Sequence, residues 1–432
     1  MAAHSDSFPT SVPYRTLRVS GVVLGVLAVV GVVALVLTFV VGNEDRRWLA
    51  LHQGWLFWSS VAVGLVVLGV AHHITNARWA WPIRRFTQAG AAFLPVSFVL
   101  FFVQWMGNHT YFHHWIGHIE GDPVLEEKAA WLTTGGMLLR DGLAVAVLFG
   151  MLLYFVYHSL RPDLYGSNHS PLHARITGGH RGLVNEEARR SRAVLNVVAP
   201  ITALLFGLLW GMVGIDQVMT MLPHWFSTMF PVTFLVSSFH SAIAMNILMV
   251  VVLGLGQLKL HDYITPKTFH DMGKMLFAFA VFWMYINWSQ YVVIWYGLLP
   301  HEQEFFVQRF NAPFAWLTIL AVACIFVFTF LSLLPRTMKK TPAIAAAVAV
   351  VVLVGHWLER LLISYPSVWT EEMGHFPIGL PELLATVGYG SLFFACYLWF
   401  LKTFPVLPSP ASLATIPQPL MQIPAHGRRV EA

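Results

Sequence analysis

The chain has 432 residues, of which 57% are hydrophobic and only 11% are charged. This composition excludes a soluble protein with a single apolar core and is typical of a polytopic membrane protein. The formal net charge of +5 does not indicate nucleic-acid binding, because the basic residues lie in loops between apolar stretches. The first apolar stretch is too long for a signal peptide, and no small-residue cleavage site stands out, so we expect it to be retained.

Ten apolar stretches are each long enough to cross a bilayer as a helix. The sequence therefore predicts an all-α polytopic membrane protein with ten transmembrane helices. The predicted spans 1 to 10 lie near 18–42, 49–73, 84–107, 133–160, 193–215, 226–254, 270–298, 307–334, 342–363 and 380–404.

The distribution of Lys and Arg predicts the orientation of these spans. The amino terminus, the tail and the loops that follow spans 2, 4, 6 and 8 together hold 19 of the 26 basic residues. Loops on the opposite side are acidic or neutral. Because basic residues concentrate in cytoplasmic loops, we expect both termini to be cytoplasmic.

The order of the spans suggests a repeated organisation. Spans 2–5 and 6–9 enter the membrane in the same sense, and Arg140 and Arg309 lie toward the outer side in corresponding spans. We therefore expect two four-helix bundles with spans 1 and 10 peripheral. The predicted segments are a cytoplasmic amino terminus, a peripheral span, two bundles, an outer loop with span 10, and a Pro-rich cytoplasmic tail that forms no helix and lies on a partner or on the membrane surface. In the order just given, these six segments cover 1–17, 18–48, 49–216, 217–363, 364–404 and 405–432.

The long outer loop at 108–132 contains two histidine pairs with a spacing of four residues. His109 with His113, and His114 with His118, could each place two ring nitrogens on one helical face for a metal. The alternative is a polar loop that docks a partner domain, and we favour that interpretation. No metal site is predicted.

Redox cofactors are not predicted in this chain either. Cys324 and Cys396 lie inside apolar spans, and two thiolates are fewer than the four that an iron–sulfur cluster normally needs. We expect both to be small core residues. Spanning haem sites need axial histidine pairs at matched depths, and no predicted helix has two histidines at that spacing.

Span 7 carries a polar stripe along an otherwise apolar helix. Asp271, Lys274, Tyr285, Ser289 and Tyr296 project within about 60° of one another at 100° per residue. Ionisable groups inside a span are costly, so we interpret the stripe as part of a proton route. The alternative is that Asp271 and Lys274 pair at i,i+3 in the headgroup region and only fix the depth of the helix.

Other spans also carry polar residues at depth. Span 4 has Arg140 beside Asp141; because adjacent residues point about 100° apart, we expect each to have a partner elsewhere. Span 6 has His240, and span 9 has His356 and Glu359 at i,i+3 with Arg360 following. Together with Arg140, Asp141 and Arg309, these residues extend the predicted proton path. The two arginines cannot release protons, so their predicted role is electrostatic.

Three segments carry a resemblance to a known family. They are KAAWLTTGGMLLR (128–140), GIDQVMTMLPHWFSTMF (214–230) and HDMGKMLFAFAVFWMYINWSQYVVIWYGLLPHEQEFFVQR (270–309). The chain resembles the polysulfide-reductase-like (NrfD-like) membrane subunits, and more closely the F subunits of bacterial alternative complex III. It departs from them at Leu222, where the family often has an acidic residue before Pro-His-Trp.

The resemblance implies a multi-pass subunit of a respiratory quinol-oxidising complex in the bacterial inner membrane. It implies that menaquinol or another quinol, haem c and iron–sulfur clusters are bound by partner subunits, while this chain binds no redox cofactor. The implied partners are a sister membrane subunit, an iron–sulfur subunit, c-type haem subunits and a terminal oxidase. Carried onto this chain, Asp271, Lys274, Tyr285 and Ser289 become the central proton-path residues.

Two alternatives remain open from the sequence. The chain could itself be a catalytic quinol-binding subunit, with His52, Asp216 and Arg140 supplying a base and hydrogen-bond donors. It could also be a secondary transporter with two repeated bundles. Transporters usually have broken spans at corresponding positions, whereas Pro95, Pro200 and Pro231 do not correspond across the repeat.

Overall fold

A computed structural model describes residues 8–9, 11–164, 171–178 and 183–417. Every regular element in these ranges is a helix. Ten helices are long and apolar enough to cross a membrane, which confirms the predicted number of spans.

We label these helices α1 to α10 in chain order. They run Gly21–Thr38, Glu44–Ile74, Arg78–Trp105, Thr134–Asp163, Val184–Met221, Phe230–Gln257, Pro266–Gly297, Ala315–Leu333, Pro342–Ser367 and Leu380–Thr403. The largest difference from the predicted spans is in α5, which begins nine residues earlier than the apolar stretch that starts near 193. Its first two turns are charged, so hydropathy alone does not reveal them.

Helix α2 lies at the centre of the structure. It packs against α3, α5, α6 and α10, and almost all of its apolar length is buried. This explains why α2 shows little amphipathic patterning, because a helix that is surrounded by other helices has no polar face. Helix α1 contacts mainly α10 and exposes most of its valines, as expected of a peripheral span.

The closest approach between α2 and α6 occurs at Gly64. A Cβ atom built on Gly64 would overlap the carbonyl oxygen of Ser238 and lie 2.8 Å from the Cβ of Ala242. Only glycine lets the two helix backbones come this close. Small residues commonly allow such close contacts between membrane helices.

The two chain ends meet at one end of the helix bundle, which we call the terminal end. The backbone N–H of Leu17 donates to the carbonyl of Leu401 at 2.8 Å, and that of Val406 donates to the carbonyl of Arg15 at 2.8 Å. An even number of spans places both of these segments on the same side of the bundle. The opposite end of the bundle carries the loop at 106–133 and the short helix Pro300–Phe310.

The described part of the Pro-rich tail packs on this chain. Asp163 accepts hydrogen bonds from the backbone N–H and the hydroxyl of Ser409, at 2.9 and 2.8 Å, and another from Ser412. The expectation that this segment forms no helix is wrong for Pro410–Ala414, which is a short helix with proline at its first position. Proline is tolerated there because its missing N–H would have no intrahelical partner. Residues 418–432 lie outside the described residues.

We expect Gly64→Ala to destabilise the protein because the added methyl group collides with backbone that cannot move alone. Overpacking of this kind costs about 1–3 kcal/mol. Thermal unfolding of the purified protein, followed by tryptophan fluorescence, measures the effect.

The matched control is Gly150→Ala in α4, where an added Cβ would meet nothing within 4 Å. Equal melting temperatures for the two variants would contradict the role assigned to Gly64.

Candidate functional site

Helices α6 and α9 bring three buried titratable side chains into one chain of hydrogen bonds. Nδ1 of His240 lies 2.9 Å from Nε2 of His356, and Nδ1 of His356 lies 2.7 Å from a carboxylate oxygen of Glu359. Nε2 of His240 lies 3.1 Å from the carbonyl oxygen of Leu276 in α7. All three side chains are at least 90% buried. Three of the residues predicted for the proton path are therefore connected.

The Leu276 carbonyl determines how protons are arranged in this chain. A carbonyl only accepts, so Nε2 of His240 carries a proton and donates it. In neutral His240, Nδ1 must then accept a hydrogen bond from the N–H group at Nε2 of His356. The remaining contact, between His356 and Glu359, holds one further proton. That proton lies on Glu359 if His356 is neutral and on His356 if the carboxylate is ionised. The cluster therefore contains one proton with two positions.

The second oxygen of Glu359 is held by donors that the sequence analysis missed. It accepts from the hydroxyl of Ser237 at 2.6 Å and from the indole N–H of Trp283 at 2.7 Å. Arg360 does not contact Glu359; its guanidinium donates to the Phe234 carbonyl and to the Ser238 hydroxyl at 3.3 and 3.2 Å. Ser237 and Trp283 thereby anchor this carboxylate oxygen.

A cavity of about 550 Å³ lies beside Glu359. Its walls come from α6, α7, α8, α9 and the short helix Pro300–Phe310, and most of them are aromatic or aliphatic. The lining includes two charged side chains, Arg309 and Glu359, and two amide side chains, Asn287 and Gln290. Because the lining residues Trp288 and Ile319 are also exposed on the outside of the bundle, the cavity is open at its side.

Arg309 closes one wall of this cavity and is held in place by backbone groups. It donates to the carbonyls of Phe305 and Ile363 at 2.6 and 3.1 Å and to the Ser367 hydroxyl at 3.3 Å, and it lies over the Phe305 ring. Its buried Nε has no partner among the described residues. Arg309 and Glu359 line the same cavity, but no ion pair joins them in the part of the chain that the structure describes.

A second polar cluster lies between α2, α3, α4 and α5. His52 contacts the amide of Gln104 at 2.9 Å and the carbonyl of Gln217 at 3.0 Å. Gln217 donates to Asp141 at 2.6 Å. Gln104 and Gln217 were missed by the sequence analysis, because a lone amide in an apolar span carries no local signal of its partner.

Arg140 and Asp141 have separate partners, as their spacing predicted. Nε of Arg140 donates to Asp216 at 2.6 Å, and the guanidinium stacks 3.8 Å from the Trp131 ring centroid. The Trp131 indole donates to the other oxygen of Asp216 at 2.8 Å. The residues predicted for a quinol site, His52, Asp216 and Arg140, thus belong to one neighbourhood, but none of them lines the cavity beside Glu359.

The polar stripe of α7 lies on the face of that helix opposite to the face that meets His240 and the cavity. Asp271 and Lys274 form an ion pair of 2.7 Å, and the Lys274 side chain is half-exposed. Tyr285 is 64% exposed, Tyr296 is 75% exposed, and Ser289 donates to the carbonyl of Ile286 at 2.9 Å. The structure therefore does not bring Tyr285 or Ser289 to His240. The pairing of Asp271 with Lys274 agrees with the headgroup alternative.

Asn246 lies between the α7 ion pair and His240 and was also missed. It is buried in α6, and its amide N–H contacts the sulfur of Met272, the neighbour of Asp271, at 3.6 Å. Its carbonyl oxygen has no partner among the described residues. Such a group is where a buried water is retained. An amide within an otherwise apolar span was the only signal that the sequence offered.

The histidines of the outer loop contact backbone carbonyls. Nδ1 of His113 lies 2.9 Å from the Thr110 carbonyl, and Nε2 of His114 lies 2.7 Å from the Ser367 carbonyl. Burial lowers the pKa of His114 below its ordinary value. Nε2 of His224 lies 2.7 Å from a carboxylate oxygen of Asp122, and this contact joins the loop to the segment that follows α5.

Comparison of the sequence with models of known protein families and with curated proteins found no match.

We expect Arg140→Gln to destabilise the protein because Asp216 would remain buried and charged without its cation. Breaking such a pair costs about 3 kcal/mol, the lower end of the range for buried pairs, since Arg140 is partly exposed. Thermal unfolding in detergent measures the change.

The double variant Arg140→Gln/Asp216→Asn should recover part of the lost stability because no uncompensated charge remains. A double variant that is less stable than Arg140→Gln would contradict this account.

Proposed function

We propose that this chain is an integral membrane subunit of a respiratory quinol-oxidising complex of the alternative complex III type, and that it conducts protons without a redox cofactor of its own. The family resemblance at 128–140, 214–230 and 270–309 supports the type of complex, and the ten apolar helices support the membrane location. The proposed partners are the sister membrane subunit, the iron–sulfur and c-type haem subunits and an oxidase, in the bacterial inner membrane.

The proposal includes two four-helix bundles and a cytoplasmic terminal end. Matching helix contacts support the bundles: α2 packs on α3 and α5, and α4 on α5, while α6 packs on α7 and α9, and α8 on α9. The concentration of Lys and Arg supports the orientation. In this orientation the cavity lies toward the outer side, because its walls include the short helix Pro300–Phe310.

The single observation that carries the proton-conducting role is the hydrogen bond of 2.7 Å between the buried side chains of His356 and Glu359. A proton route needs groups that can change protonation without losing their hydrogen bonds, and this pair has that property. His240 and Asn246 extend the route toward the terminal end, where Asp271 and Lys274 lie. A water on the free oxygen of Asn246 would continue the route through the apolar region.

The other predicted path residues take different roles in this proposal. Arg309 provides positive charge beside the cavity, and the cluster of Arg140 and Asp141 stabilises the first bundle. Tyr285 and Ser289 face outward, so they contribute only if a partner subunit covers that side of α7.

We expect Glu359→Gln to lower the number of protons translocated per electron, because an amide cannot take up the proton that the carboxylate accepts from His356. Transfer along this route should slow by roughly 100-fold, the usual cost of losing a positioned proton-transfer group. The measurement uses liposomes that contain the complex copurified with this chain, with pH recorded inside and outside.

The matched control is Glu304→Gln on the short helix Pro300–Phe310, where the carboxylate is exposed and only accepts from Gln308. Lys274→Ala should have a smaller effect than Glu359→Gln, because waters can replace an exposed ammonium. An unchanged proton-to-electron ratio in Glu359→Gln would reduce the cluster to a structural role.

The cavity favours a second function, in which this chain itself binds a quinol. Its volume lies in the range of small-molecule sites, and it combines apolar aromatic walls with a few polar groups. Glu359 has about four acceptor positions, and Ser237, Trp283 and His356 use three of them. A quinol hydroxyl could donate to the fourth, while its isoprenoid tail leaves through the open side. This site differs from the set of His52, Asp216 and Arg140.

We expect a photoreactive quinone analogue to label peptides from α7 and α8 of this chain. Ala323→Phe should abolish that labelling because the ring fills the cavity, whereas Ala347→Phe on the exposed surface of α9 should not. Mass spectrometry of the labelled peptides measures both. Labelling confined to a sister subunit would exclude the second function and leave the proton-conducting role untouched.

A further inference from the structure

A basic cleft lies at the terminal end of the bundle, away from the cavity and the histidine chain. His72 and His73 are in the last turn of α2, Arg84 is near the start of α3, and Arg192 is near the start of α5. They line two adjoining recesses of about 10 and 30 Å³, which share His73, Arg84 and Arg192. The tail residues Ser412, Thr415 and Ile416 form another part of the walls.

Asp163 balances the positive charge of this cleft only in part. The nearby carboxylate of Asp163 already binds Arg85, Ser409 and Ser412. Within the part of the chain that the structure describes, the side chain of Arg84 has neither a hydrogen bond nor an ion pair, and Arg192 contacts only the neutral amide of Asn76. Arg84 also lies close enough to Arg85 and Arg192 to feel their repulsion.

Some polar groups in the cleft also lack partners. Both ring nitrogens of His72 and Nδ1 of His158 are buried without a partner among the described residues. Buried polar groups are normally paired, so these nitrogens favour a polar ligand in the cleft. The two guanidinium groups beside them favour a ligand that is negatively charged and rich in acceptor oxygens. Arginine side chains bind phosphate groups particularly well because their N–H groups match two oxygens at once.

The size of the cleft and its place in the bundle indicate which class of phosphate-containing ligand it fits. Recesses of 10 and 30 Å³ hold single oxygen atoms of a phosphate group but not a sugar or a base. The cleft lies at the ends of spanning helices, where lipid headgroups lie, and Trp79 and Trp81 flank it as aromatic residues typically do at that level. Basic pockets between helix ends are known sites for anionic lipids.

We propose that this cleft binds the phosphate of an anionic membrane phospholipid through Arg84 and Arg192. The lipid would join α2, α3 and α5 to the tail segment that ends at Pro417, whose carbonyl accepts from Arg78 at 3.1 Å. This inference depends on the arrangement of charges and holds whether or not the chain conducts protons.

The test is native mass spectrometry of the full-length protein in neutral detergent, with phosphatidylglycerol or phosphatidylcholine added. The wild type should retain phosphatidylglycerol and not phosphatidylcholine. Arg84→Gln and Arg192→Gln should each weaken retention about tenfold, as expected when one hydrogen-bonded charge is lost. Arg18→Gln, an exposed arginine at the same end, should bind like the wild type.

Lipid retention is measured only on the folded monomer. If Arg84→Gln folds poorly, the result for Arg192→Gln alone tests the proposal. Equal retention by Arg84→Gln, Arg192→Gln and Arg18→Gln, or equal binding of the two lipids, would overturn the proposal. A further measurement with inorganic phosphate distinguishes a lipid headgroup from free phosphate as the ligand. If millimolar phosphate raises the melting temperature of lipid-free protein as much as phosphatidylglycerol does, and Arg84→Gln removes both effects, the lipid assignment is wrong and the site takes free phosphate.

Discussion

The contact between α2 and α6 at Gly64 is the packing constraint on which the polar interior depends. It places the Ser238 backbone against α2 and thereby fixes the rotation of α6. The Ser238 hydroxyl then meets Arg360, the neighbouring Ser237 meets Glu359, and His240 meets His356. A bulkier residue at position 64 would push α6 outward, and every one of these contacts would lengthen. Close helix packing and the hydrogen-bonded chain are therefore one structural feature.

The two buried clusters differ in what they can do. Around Asp216, the ion pair with Arg140 and the hydrogen bond from Trp131 join α4 to α5, and no cavity adjoins this carboxylate among the pockets described. Around Glu359 the hydrogen bonds permit two positions for one proton, and a cavity adjoins the carboxylate. Both proposed functions follow from this difference. A proton conductor needs the two positions, and a quinol site needs the cavity beside a proton acceptor.

Two neighbouring arginines at the terminal end, Arg84 and Arg85, differ in whether an acidic residue forms an ion pair with them. Arg85 is paired with Asp163, which in turn holds the tail through Ser409 and Ser412. Its neighbour Arg84 has no such partner in the described chain. An uncompensated guanidinium between helix ends is unfavourable in an isolated protein but favourable beside anionic headgroups. The same end of the molecule can thus anchor its own tail and contact the surrounding lipid.

The sequence by itself determined the number of spanning helices and their approximate bounds, because hydrophobic length is a local property of the chain. It also identified His240, His356, Glu359, Arg140 and Asp141 as polar positions within the spans. Only the tertiary structure decided which of them meet. It joined His240 to His356, left Tyr285 and Ser289 on the outside of α7, and revealed Asn246, Gln104 and Gln217 as links. The physical reason is that the partner of a buried polar group lies on another helix, and the rotation of each helix is set by packing contacts such as that at Gly64.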